Sequence, residues 1–74
     1  MNINQRTGAI IRQARLGADM TREELGRALT PNYPDTYIED IEEGDLSPPF
    51  NVLVNIANVL DIPLMSFIIG REGQ

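Results

Sequence analysis

The sequence predicts an all-α domain. Three features predict it: apolar residues recur at three- and four-residue intervals in successive segments, each segment opens near a capping residue or a proline, and glycine or proline follows most of them. Read in order, the segments give five helices at about residues 4–18, 21–29, 34–43, 48–61 and 63–69, within one domain spanning residues 1–74. A chain of 74 residues lies near the lower limit at which a single core offsets chain entropy, so self-association would help it.

In the first helix Ile3, Thr7, Ile10, Ile11, Ala14 and Ala18 fall on one stripe, with Arg6, Arg12 and Gln13 facing water, Arg15 at the edge of the stripe and Leu16 pointing outward. Asp19 takes the joint after it, and aspartate tolerates the left-handed conformation better than most residues. The second helix has the clearest start. Thr21 caps it with Glu24 three residues on, so hydroxyl and carboxylate each satisfy an orphan N–H, and Met20 and Leu25 are spaced as a hydrophobic staple. Leu25, Ala28 and Leu29 make its apolar face, and Pro31 disfavours the helical conformation at Thr30 and so ends it.

Pro34 suits a first helical position because its missing N–H would have no partner there, and Gly44 is the natural stop. With Ile38 and Ile41 as the buried edge, the outward arc of the third helix carries Thr36, Glu39, Asp40 and Glu43, with Asp35 at its margin. Ser47 is placed to cap a fourth helix with Pro48 at its first position; Leu53, Ile56, Ala57 and Leu60 form its core stripe, and Asn51, Asn55 and Asn58 the opposite face. The last helix is apolar nearly all round, through Leu64, Met65, Phe67, Ile68 and Ile69, with Ser66 the only polar residue inside it. Such a helix needs cover on more than one side, which predicts a homodimer seam at those five residues.

Composition narrows the chemistry. The chain has no cysteine and no histidine, so neither a disulfide framework nor the usual nitrogen and sulfur ligands of zinc are available, and no metal or cofactor is expected. Glu39, Asp40, Glu42 and Glu43 lack the alternating ligand spacing of a calcium loop. No nucleophile–base pair or phosphate-cradling glycine loop accompanies them, so no catalytic residues and no enzyme are expected. No apolar run approaches a membrane span and the first residues lack the apolar core of a signal peptide, which predicts a cytoplasmic protein that leaves membranes alone. The net charge is −5, unevenly spread: residues 1–27 carry +2 from five arginines against three acids, and residues 28–74 carry −7 from Arg71 against eight acids.

The ordered set Ile11-Arg12 with Arg15, Thr21-x-Glu23-Glu24-Leu25, Ile38-x-x-Ile41-Glu42-x-Gly44, and Pro48 followed by Leu53-x-x-Ile56-Ala57-x-x-Leu60 resembles the Cro/C1-type (XRE) helix-turn-helix family, with its lambda-repressor-like domain. The resemblance implies a five-helix fold, an ion pair between Arg15 and Glu42, a phosphate contact at Arg22, and a third helix that reads DNA. Two departures stand out. Eight residues separate Leu29 from Ile38, longer than the family's usual turn, and the slots that normally meet bases hold Asp35, Thr36, Glu39 and Asp40.

Two functions follow, both in transcription regulation. In the first, the acidic third helix, flanked by Tyr33 and Tyr37, binds a basic regulatory protein, as an antiactivator or antirepressor would. In the second, the chain is a sequence-specific operator-binding repressor of the Cro/C1 type, with Arg12 and Arg22 on phosphates of duplex DNA. The first is preferred. A single acid can accept from cytosine N4–H, but this helix would carry four into a groove walled by phosphates, and proteins that bind nucleic acid through phosphates normally show a basic patch.

Overall fold

The computed structural model describes residues 2–69, with side chains as far as Phe67. Among them the chain forms α1 (Ile3–Gly17), α2 (Arg22–Ala28), α3 (Asp35–Glu42), α4 (Phe50–Leu60) and α5 (Ser66–Ile69), with no strand. The all-α class stands. The count of five needs correcting, because α1 to α4 are helices of 7 to 15 residues whereas α5 is one turn of 4.

Local chemistry explains most of the starts and stops. Thr21 accepts from the Glu24 N–H at 3.0 Å while Glu24 Oε1 accepts from the Thr21 N–H at 2.8 Å, which is the expected capping box. A second box, not anticipated, opens α1: Asn2 accepts from the Gln5 N–H at 2.8 Å and Gln5 returns the bond at 3.1 Å, so the helix begins at Ile3. Its signal, Asn-x-x-Gln, was legible in the sequence.

Three helices end the same way, on a left-handed residue whose successor bonds back into the last turn. Asp19 (φ 57°), Gly44 (φ 83°) and Asp61 (φ 56°) hold that position, and Met20, Asp45 and Ile62 donate to the carbonyls of Arg15, Asp40 and Ala57 at 3.1, 2.9 and 3.0 Å. Only one is glycine. The two aspartates accept the strain because a short polar side chain lowers its cost.

Two prolines move a boundary. Ser47 does not cap α4, and Pro48 is not its first residue; the helix starts at Phe50 with Pro49 in the N-cap position and no side-chain cap. The reason is Pro49, whose ring disfavours the helical region for the residue before it and so makes Pro48 a poor first helical residue. Val52, four residues before Ile56 and eight before Leu60, joins them and Ala57 in the core, and Leu53 is half-buried. Pro34 likewise serves as N-cap of α3 and not as its first residue, so the helix starts one residue later than expected. The last segment, expected helical from 63, makes only single bonds there, Ser66 N–H to Pro63 and Phe67 N–H to Leu64, before its one turn.

The core is Ile11, Leu25, Leu29, Ile38, Ile41, Val52, Ile56, Ala57, Leu60 and Phe67. Ile3, Ala18 and Ala28, expected on buried faces, are exposed. Leu16 points to water as expected, and Met20 packs against the core from the staple position.

Two glycines set how closely helices approach. A Cβ on Gly8 would lie 2.6 Å from the Glu42 carbonyl oxygen and closer still to that of Ile41, so α1 meets the backbone of α3 there. A Cβ on Gly26 would collide with the Tyr33 carbonyl oxygen. Gly8→Ala should therefore lower stability by about 1–3 kcal/mol, the usual scale of overpacking, since no flexible side chain is there to yield. Gly17→Ala, with nothing within 4 Å, should leave it unchanged or raise it. Urea midpoints of the two variants check the contrast; equal midpoints would refute the close approach.

Candidate functional site

The site is the outward side of α3 and the groove beside its first residue. α3 is fixed from behind by Ile38 and Ile41, fully buried, and by Glu42, whose side chain is 1% exposed. Glu42 is the anchor. Arg15 meets it with a fork, Nε to Oε2 at 2.6 Å and Nη2 to Oε1 at 3.1 Å, while Nη1 donates to the Met20 carbonyl at 2.8 Å. One guanidinium thus joins α3 to the end of α1 and to the turn that follows it. The expected Arg15–Glu42 pair is present.

Arg22, the expected phosphate contact, is paired within the protein. Its Nε donates to Glu42 Oε1 at 3.1 Å and its Nη1 lies 3.8 Å from Glu39. The hydrogen bond to Glu42, aided by the fields of Glu39 and Glu43, holds the guanidinium above its ordinary pKa despite some desolvation. Its side chain is 31% exposed and keeps a carboxylate partner within the protein. Arg12 is exposed, and both arginines line an open groove that also includes Leu16, Asp19 and Asp35. Phosphate-anchoring side chains there would share the groove with carboxylates.

Asp35, Thr36, Glu39, Asp40 and Glu43 are all exposed, as the helical arc requires. The structure brings them to one face, with Arg22 salt-bridged to Glu39. At the opposite edge of α3, Tyr33 and Tyr37 stack with centroids 4.2 Å apart and planes 13° from parallel. Burial, with help from its neighbour Tyr33, raises the Tyr37 phenol above its usual value.

The turn before α3 is built as carefully as the helix. Asn32 Nδ2 donates to the carbonyls of Arg27 (2.8 Å) and Leu29 (3.3 Å), closing the end of α2, and the Tyr33 N–H donates to Gly26 at 3.0 Å. Asn55, expected only as part of a polar outer face on α4, donates to the Thr30 carbonyl at 2.8 Å and ties the turn to that helix. These contacts hold the long turn without shortening it. Two short helices, joined by an ordered turn, pack against each other, and the buried Arg15–Glu42 pair holds the second of them to α1 while Arg22 links the two through the same carboxylate.

The helix-turn-helix family matches this chain over residues 11–67, from the middle of α1 into α5. This chain belongs to that family. No curated protein and no solved structure matches it. In this helix-turn-helix domain α2 and α3 are the motif, and the acidic arc occupies the face that the resemblance assigns to recognition. The scaffold is that of a transcription regulator. Among the described residues, no helix is long and apolar enough to cross a membrane and no cluster could hold a metal ion.

The self-association residues expected at the C-terminus divide. Phe67 is 6% exposed and belongs to the core, so it is not a surface anchor; Leu64 is half-buried, and Met65 is exposed. The side chains of Ile68 and Ile69 lie outside the described residues.

Proposed function

We propose that this domain regulates transcription by binding a basic regulatory protein through the exposed face of α3, in the manner of an antiactivator or antirepressor in the cytoplasm. The observation that carries the reading is the joint exposure of Asp35, Glu39, Asp40 and Glu43 on the face a helix-turn-helix domain turns toward its ligand. A surface of that sign steers a basic partner in and repels phosphate. The pairing of Arg22 with Glu42 adds to it, because a phosphate contact there would have to compete with a carboxylate already held at 3.1 Å.

The second reading is sequence-specific operator binding, favoured by the family and by exposed Arg12. A low-salt titration with genomic fragments, beside a pull-down from cell extract, separates the two. The expected result is weak, non-selective duplex binding together with capture of one basic regulator. Tight retention of a single fragment, weakening with salt in proportion to the phosphates contacted, would establish the operator reading instead.

A further inference from the structure

The chain has two tyrosines and no tryptophan, and the structure stacks both tyrosines at one edge of α3. Tyr37 stands on its helix between buried Ile41 and exposed Asp40, so its ring marks the border between the core and the acidic arc. Tyr33 reaches it from a turn that is tied down independently of the rings: the Tyr33 N–H donates to the Gly26 carbonyl, Asn32 closes the end of α2, and Asn55 holds the Thr30 carbonyl. The stack therefore forms without a partner, and both tyrosines stay only part-buried. We propose that this tyrosine pair, with Asp40 beside it, seats an arginine of the basic partner and makes the surface select arginine over lysine.

The inference rests on the reading of α3 as the surface for a basic protein, and it names the side chain that surface takes. Charge complementarity determines the sign of the occupant, since Asp35, Glu39, Asp40 and Glu43 are all exposed on the face that the rings border. The rings determine its shape. A guanidinium is planar and weakly hydrated, so it stacks on an aromatic face while its N–H fork turns to a carboxylate, whereas an ammonium is a compact, strongly hydrated point charge that gains less from a flat ring.

Asp40 is placed for the second half of that contact. Three residues from Tyr37 on a helix is neighbour spacing, about 5–6 Å between Cβ atoms. Glu39 lies on the far side of the arc and is salt-bridged to Arg22. Because the two rings already hold one another at 4.2 Å, little rotamer freedom remains to be lost when an arginine arrives.

Calorimetric titration at low salt with oligo-arginine and oligo-lysine peptides of equal length tests it, with tyrosine emission as a second readout that in this chain reports the pair alone. Oligo-arginine should bind wild type more tightly and change the emission to saturation, while oligo-lysine leaves it nearly unchanged. Tyr33→Leu and Tyr37→Leu, shown folded by circular dichroism, should each lower the arginine-to-lysine affinity ratio about twofold to fivefold, the scale of one cation–π contact at an exposed site. Glu39→Gln should weaken both peptides alike and keep the ratio. A ratio that survives both tyrosine changes, or wild-type emission that answers equally to both peptides or to neither, would overturn the proposal and leave α3 a surface for basic proteins. If neither peptide bound, the reading of α3 would fall with it.

Discussion

Glu42→Ala should lower the stability of this domain by about 3–5 kcal/mol, because it removes one member of a buried ion pair and leaves the other charge desolvated. Arg15, with 9% of its side chain exposed, would keep one bond to the Met20 carbonyl and lose both to carboxylate, and Arg22 would lose its nearest acceptor. Against a total of roughly 0.05–0.15 kcal/mol per residue, that is a large share of what holds the fold. Glu42→Gln keeps the shape and should cost less, though it still strands a cation. Arg15→Leu combined with Glu42→Leu should be less harmful than the two single changes summed, because a buried pair replaced by apolar groups loses attraction and desolvation cost together. Denaturant unfolding of the single and double variants decides the matter. If Glu42→Ala cost less than about 1 kcal/mol, the range of exposed pairs, the pair would not be buried in solution.

The second large effect concerns binding. Glu39→Lys with Asp40→Lys should abolish capture of a basic partner and raise non-specific affinity for duplex DNA. Each reversal adds two charges, so the pair moves the formal charge from −5 to −1, all of it on the exposed arc. Reversal would also put like charge beside Arg22, now 3.8 Å from Glu39, while leaving the Arg15–Glu42 fork in place, so the fold should persist. The salt dependence of the new DNA binding should be steeper than that of wild type, since each added phosphate contact contributes about 0.9 to the slope. Unchanged partner capture by the doubly reversed protein would place the binding surface elsewhere.

Much of this was legible along the chain because helix starts and stops are local. Thr21 and Glu24 define the start of α2 through bonds three residues apart, Gly44 ends α3 through its own backbone freedom, and the spacing of Ile38 and Ile41 determines which carboxylates of α3 face water. The acidic arc is therefore a property of periodicity alone. Where local rules competed, sequence order misled: Ser47-Pro48 is a sound helix start until Pro49 disfavours it.

Tertiary structure alone decided the rest, because it turns on groups distant in the chain. That Arg22 spends its charge on Glu42 depends on the approach of α2 to α3, and that Asn55 serves the turn at Thr30 depends on a bond across 25 residues. Gly8 and Gly26 are unremarkable in composition and decisive in space, since only the absence of a Cβ lets backbone meet backbone at those points. Phe67 belongs to the core for the same kind of reason. An apolar residue in a terminal segment is indifferent to whether its own domain or another chain covers it, and the packing of α5 against α1 settles it in favour of the former.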